Sequence, residues 1–289
     1  MEYPDIFTLI KQIMEIRFQS SPQETKKMNT EELRKNFLIE GLMKENEIKL
    51  VYSHYDRVII GGAKPVNNVL QLEADPELKA EYFLERRELG IINIGGSGVV
   101  EADGEQYTLS NLDCVYIGKG VKQVSFKSEY SQNPAMFYLL SAPAHQPYPS
   151  KKLTKEEAAP TTIGDAFTSN RRTIYKYIHS DGIQSAQLVM GLTVLDKGSV
   201  WNTMPCHTHT RRTEAYFYFD VPEGQVVFHY MGEPQETRHL VLRNNSAVIS
   251  PPWSIHSGCG TANYGFIWGM AGENYTYTDM DAVAITDLR

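Results

Sequence analysis

Most of this 289-residue chain consists of short apolar or alternating runs cut by Gly, Pro, Asn and Asp, and that pattern limits its fold more than any other feature. From about residue 50 come "KLVYSHYDRVIIGGAKP", "GIINIGGSGVVEADGEQYTL", "DCVYIGKGVKQVSF" and "MFYLLSAPA". After residue 170 come "RRTIYKYIH", "SAQLVMGLTVL", "EAYFYFD", "GQVVFHYMG", "RHLVLRN", "SAVISPP" and "YGFIWGMAG". Runs this short, many with period-two alternation, are strands, and many such strands at regular spacing close into β-sandwiches or small barrels. The expected fold class is all-β, with two antiparallel β-barrel or sandwich domains and short N-terminal and peripheral helices.

Between the two sets of strands lies "PAHQPYPSKKLTKEEAAPTTIGDAFTSN", where Pro143, Pro147, Pro149 and Pro160 interrupt regular elements. At the start, Ile6, Leu9, Ile10, Ile13 and Ile16 recur at helical intervals over residues 5–18, and "NTEELRKNFLIEGL" sets Thr30 as the cap of a second helix. The expected organisation is an N-terminal helical segment (1–45), a first barrel (46–145), a linker (146–170) and a second barrel (171–289).

A net charge of −7 argues against the long basic surface that nucleic acid or an anionic membrane requires. The cysteines, Cys114, Cys206 and Cys259, are odd in number and lack zinc-finger spacing, which fits a reducing compartment. The early apolar stretch is broken by Lys11, Gln12, Glu15 and Arg17, unlike a secretory signal. No apolar run reaches the ~20 residues that span a bilayer. A cytoplasmic protein is expected.

The chemistry-bearing residues concentrate in "PCHTHTRRTEAYFYFD", residues 205–220. In an extended segment residues i and i+2 share a face, so His207 and His209 point the same way. A short turn at 211–213 lets Glu214 face back toward both imidazoles, and His256 in "PPWSIHSGCG" is the candidate fourth ligand. Three neutral imidazoles and one carboxylate suit zinc, iron, manganese, nickel or copper rather than calcium or magnesium. An isolated His-x-His in a strand is more often a polar surface pair; the glutamate and the later histidine turn the balance toward a metal. His54, His145, His179, His229 and His239 are read as ordinary polar residues. Tyr216 and Tyr218 share the face of Glu214 by alternation and are candidates to line the cavity. Among the pairs Arg86–Arg87, Arg171–Arg172 and Arg211–Arg212, Arg211 is favoured to fork a substrate carboxylate because it lies inside the ligand loop. Tyr216, Tyr218 and Arg211 are therefore the catalytic candidates, with no general base assigned.

The two halves also read as distant copies. Laying "ELGIINIGGSG" and "YTLSNLDCVYIGKGVKQ" over "EAYFYFDVPEG" and "LVLRNNSAVISPPWSIH" sets Glu88 on Glu214, Glu81 and Phe83 on His207 and His209, and Gln123 on His256. Only the second copy then carries a metal.

The spacing His-x-His-x4-Glu, followed by Pro251-x4-His256, resembles the two metal motifs of the cupin superfamily, with departures at Val221, Trp253 and Gly260. More specifically, "YFLERRELGIINIGGSG", "TSNRRTIYKYI", "WNTMPCHTHTRRTEAYFYF", "GEPQETRH" and "AVISPPWSIHSG…FIWGMAGEN" resemble the 4-deoxy-L-threo-5-hexosulose-uronate ketol-isomerase family of bacterial pectin and uronate breakdown. The likeness runs from about residue 27 to the C-terminal "DLR". It implies a double cupin with a degenerate, metal-free first barrel. It also implies a hexamer, and one Zn2+ per chain held by His207, His209, Glu214 and His256. The implied reaction is aldose–ketose isomerisation of 5-dehydro-4-deoxy-D-glucuronate to 3-deoxy-D-glycero-2,5-hexodiulosonate. Three alternatives stay open: a 5-deoxyglucuronate isomerase of inositol catabolism, a cupin oxygenase with redox-active iron or copper, and a non-catalytic, metal-stabilised sugar-binding cupin.

Overall fold

Alternation along Arg87–Asn93 sends Leu89 and Ile91 to one face and Gly90 and Ile92 to the other, and both faces are buried in the computed structural model, which describes residues 14–289. Leu89 and Ile91 join Val100, Phe126 and Phe137 inside the first barrel. Ile92 joins Met190, Leu192 and Phe217 of the second half. A strand buried on both faces lies between two other layers, and this one separates a barrel interior from the seam between barrels.

Among the described residues each half contributes a seven-stranded and a four-stranded sheet. In the first half the large sheet runs through Ile48–Ser53, Ile59–Ala63, Phe137–Pro143, Arg87–Asn93 and Cys114–Ile117. In the second half the corresponding order is Arg172–Ile178, Val189–Leu195, Gly265–Gly272, Arg212–Phe219 and Ser246–Ser250. The smaller sheets close each barrel on its outer side; that of the second half comprises Trp201–Asn202, Ser257–Gly260, Val227–Glu233 and Glu236–Leu242. The fold is the expected all-β double barrel, with one topology used twice.

The large sheets pack face to face. Tyr138 and Phe217 meet across the seam with ring centroids 4.8 Å apart. Two glycines permit this approach: a Cβ at Gly90 would lie 2.6 Å from the Met190 sulfur, and one at Gly269 would lie 2.2 Å from Leu140 Cδ2. Close packing at the seam leaves no room for either.

Several local expectations are corrected. Glu15–Arg17, inside the stretch read as a helix over 5–18, is a strand running parallel to Val51–Ser53. The open edge of Ile48–Ser53 offers this segment backbone partners, and tertiary pairing overrides the helical spacing. The remainder of that helix falls outside the described residues. The helix Thr30–Phe37 forms, but its cap is Asn29, whose side chain accepts from the Glu32 amide while Glu32 reaches back to the Asn29 amide. Leu38–Ile39 then joins the edge of the second half's large sheet beside Ala247 and Val248, so the N-terminal segment also contains strand and straps the two halves together. The stretch 146–170 is not free of regular elements either: Lys151–Leu153 pairs with Cys114–Ile117, and Thr161–Ile163 pairs with Arg172–Ile178. Each end of the connection finishes a sheet edge, which satisfies backbone groups that the prolines do not interrupt.

The alignment of the two copies is corrected by one residue. Glu214 lies opposite Ser250, and Leu89 lies opposite Ile117. Counting from Ser250 to His256 and from Ile117 to Gln123 gives the same interval, so Leu89, rather than Glu88, occupies the position of Glu214. A slip of one residue exchanges the two faces of a strand. Glu88 accordingly sits at the seam, where it is fully buried.

Candidate metal centre

Strand pairing brings the four predicted ligands together from three segments. His207 lies on the short strand His207–Thr208, His209 follows in the turn, Glu214 is on Arg212–Phe219, and His256 follows the Pro251–Pro252 turn after Ser246–Ser250. One donor atom from each falls within 4.8 Å of all the others. Glu214 Oε2 lies 2.9 Å from His209 Nε2 and 3.0 Å from His256 Nε2, and the Nε2 atoms of His256 and His207 are 3.0 Å apart. His209, Glu214 and His256 are buried, and His207 is half-buried at the opening.

The donor set fits a divalent ion of the zinc class. Bonds of about 2.1 Å to a shared centre place ligand atoms about 3–4 Å apart. The far sides of the rings are anchored as ligating imidazoles require: the Arg212 carbonyl accepts from His209 Nδ1 at 3.1 Å, and the Ser250 hydroxyl lies 3.4 Å from His256 Nδ1. Such anchoring fixes the tautomer and turns the Nε2 lone pair inward.

The electrostatics agree. Burial would raise the Glu214 carboxyl, but the neighbouring His256 and His209 outweigh it and hold the group well below the usual carboxylate range. Burial and the facing His256 imidazole push His207 down to about 4, which keeps that ring neutral and able to ligate. His209 shows the opposite balance: burial lowers it, but the Glu214 hydrogen bond and charge prevail and its pKa is raised.

The three catalytic candidates separate. Tyr216 lies inside the barrel with its ring 5.5 Å from that of His256, and its hydroxyl is 3.1 Å from the Thr203 hydroxyl. Tyr218 lies deeper, its hydroxyl 2.8 Å from His229 Nδ1. Burial raises both phenols well above the ordinary tyrosine range, so both stay protonated. Arg211 points outward, its side chain 68% exposed and 3.8 Å from Glu273. It does not join the site. Its neighbour Arg212 does: fully buried, it donates from Nε and Nη2 to the two oxygens of Asp279 at 2.9 and 2.5 Å. The alternation that puts Tyr216 on the face of Glu214 puts Arg212 there too, and that signal was available in the sequence.

Three other contributors carried no such signal. His229, read as ordinary, is fully buried in the barrel wall, and its Nε2 has no partner among the described residues. Burial lowers its pKa to about 3, so it is a neutral ring. Asp279 belongs to the C-terminal tail, which also pairs Asp281–Ala282 with His207–Thr208 and so holds the first ligand strand in place. Asp56, from the first barrel, accepts the Thr213 amide at 2.7 Å, immediately before Glu214.

Repeated antiparallel barrels with one buried three-histidine, one-carboxylate cluster define a double cupin with a candidate metal centre in its second barrel. The chain belongs to the KduI/IolB family, whose profile matches residues 37–285. It is 59% identical over 276 residues to the 4-deoxy-L-threo-5-hexosulose-uronate ketol-isomerase of Halalkalibacterium halodurans, covering 96% of this chain and 100% of that protein. A Yersinia pestis protein of the same name is 54% identical over 278 residues, again covering 96% of this chain and 100% of that protein. Among solved structures, an IolB-like protein from Salmonella typhimurium superposes with a TM-score of 0.71 at 14% identity, covering 86% of this chain and 97% of that one. No helix among the described residues is long and apolar enough to cross a membrane.

Proposed function

We propose that this chain is the ketol-isomerase that converts 5-dehydro-4-deoxy-D-glucuronate to 3-deoxy-D-glycero-2,5-hexodiulosonate in uronate breakdown. The observation that carries the reading is the convergence of His207, His209, Glu214 and His256 in a chain so similar, end to end, to relatives bearing that name. Zinc is the proposed ion, because three neutral imidazoles and a carboxylate match its preference. A hexamer and a cytoplasmic location belong to the same reading, the first resting on family resemblance alone.

Aldose–ketose exchange moves a hydrogen between adjacent carbons while negative charge develops on their oxygens. A bound divalent ion supplies Lewis-acid stabilisation of that charge. The protein's own groups do the rest. Glu214 would offset the ion's charge as one of its ligands, which leaves it unavailable as the base. Tyr216, kept protonated by burial, is the hydrogen-bond donor proposed for a developing oxyanion. Tyr218 is committed to His229 and supports the wall behind it.

Purified protein mixed with 5-keto-4-deoxyuronate should replace the C1 aldehyde and C2 carbinol signals of the carbon NMR spectrum with a C1 hydroxymethyl and a C2 ketone, and a chelator should stop it. Chelator-insensitive conversion, or none, overturns the proposal. A parallel trial with 5-deoxyglucuronate separates the inositol-pathway alternative, and binding of uronate with no product would mark a sugar-binding protein. For Tyr216→Phe we expect one oxyanion hydrogen bond to be lost, lowering turnover about 10–100-fold. Its zinc content should stay at the wild-type level; equal turnover of the two proteins would remove Tyr216 from the chemistry.

A further inference from the structure

Among the described residues the metal-ligand cluster lies in the second barrel, and the first carries a different opening, a cavity of about 300 Å³ lined by Tyr52, His54, Arg57, Glu77, Arg86 and Arg87. Arg87 is the unusual member. It lies on the interior face of Arg87–Asn93 and is 7% exposed. Its guanidinium donates only to neutral oxygens: Nε to the Ser141 hydroxyl at 3.1 Å, and Nη2 to the carbonyls of Ser141 at 3.0 Å and Arg57 at 2.6 Å. Its charge sits 5.8 Å over the Tyr52 ring. Among the described residues no carboxylate lies within ion-pair distance of it, and its hydrogen bonds all leave from Nε and Nη2, none from Nη1.

A buried cation without a counter-ion is costly. Here the balance around the cavity stays positive, with Arg57 and Arg87 against Glu77 once Arg86 is paired with Glu85 at 3.7 Å. Arg86 donates to the carbonyls of Leu78 and Lys79, whereas the Arg57 side chain makes no hydrogen bond or ion pair among the described residues. Arg57 thus leaves a guanidinium edge, and Arg87 its Nη1, available beside the Tyr52 ring and the face of His54 that does not stack on Phe18. Planar forks recognise carboxylates in pairs of hydrogen bonds, and aromatic faces suit the apolar face of a sugar ring.

We propose that the first barrel is a binding site for the carboxylate of a small sugar acid, held by Arg57 and Arg87. The site has a path to the metal centre. Arg57 presents its carbonyl to Arg87, and the preceding residue, Asp56, accepts the Thr213 amide beside Glu214.

The test titrates zinc-loaded, full-length wild-type protein and Arg57→Glu with galacturonate, glucose and inorganic phosphate, reading heat and stoichiometry by calorimetry. Arg57 is exposed and outside the metal site, so the variant should keep its zinc and its fold. The expected result is saturable galacturonate binding at one per chain, weakened at least about tenfold in Arg57→Glu, with no glucose binding. Arg87→Lys, which keeps the charge and loses the Nη1 donor, should weaken galacturonate by a similar factor. Equal affinity in wild type and Arg57→Glu overturns the proposal, as does phosphate binding without galacturonate binding. None of these readouts depends on turnover, so failure here leaves the isomerase reading standing, and failure of that reading leaves this one standing.

Discussion

Replacing His256 with alanine is expected to strip the second barrel of its metal and to lower isomerisation about 1,000-fold, the several kcal/mol that Lewis-acid charge stabilisation supplies. The reason lies in how the site is closed. Glu214 Oε2 meets both His209 Nε2 and His256 Nε2, so the carboxylate is balanced from two sides and His256 also faces His207. His256 is the one ring that faces both Glu214 and His207, so without it the three donors that remain lose the group that holds them around a common centre. Loss of a group that only orients a ligand costs about 10–100-fold in metal affinity, and loss of a ligand should cost more. Metal analysis of the purified variant checks the first half of the expectation, and the uronate assay checks the second. Arg211→Ala provides the contrast: that side chain faces solvent, and the variant should retain its zinc and turn over within about twofold of wild type. If His256→Ala keeps a full complement of zinc, the ligand set is wrong. Should it lose zinc but keep turnover, the ion is structural.

That four-residue site could be read from the sequence because its signals are short-range. The i, i+2 spacing of two histidines fixes a common face, and Glu214 begins the strand that returns past them. His256 needed only the assumption that a tight Pro251–Pro252 turn re-enters the barrel. Two misreadings come from parity at the same places. Arg211 drew attention by its place in the loop, yet Arg212 shares the face of Glu214 and is the buried cation that grips Asp279. Glu88 looked like the degenerate partner of Glu214, but the strand register shifts it by one residue and turns it outward. Other features were invisible for a different reason. The pairing of His229 with Tyr218, of Asp279 with Arg212 and of Asp56 with Thr213 joins residues distant in sequence, and no local periodicity encodes such contacts. The helical spacing around Ile16 shows the converse, a local signal overruled by an available sheet edge.

The corrected place of Glu88 carries the second large expectation. Its Oε2 accepts the Tyr116 hydroxyl at 2.8 Å and the Ala186 amide at 2.6 Å, and its Oε1 accepts the amides of Gln187 at 2.9 Å and Leu188 at 2.8 Å. Three backbone donors of the second half thus converge on one carboxylate of the first, in a region with no access to water. Glutamine has nearly the same shape but replaces one acceptor oxygen with an NH2 group. Whichever way that amide is turned, its NH2 confronts at least one backbone N–H, leaving a buried donor unsatisfied and set against another donor. Breaking a buried charged network of this kind costs about 3–5 kcal/mol. For a chain of this size, Glu88→Gln should therefore lower the melting temperature by on the order of 10 °C. The loss should fall on the docking of the barrels rather than on the metal, so zinc content should match wild type below the melting range. Melting within about 2 °C of wild type would mean that the seam is held by its apolar contacts, Tyr138 against Phe217 and their neighbours, and that Glu88 only fills space between them.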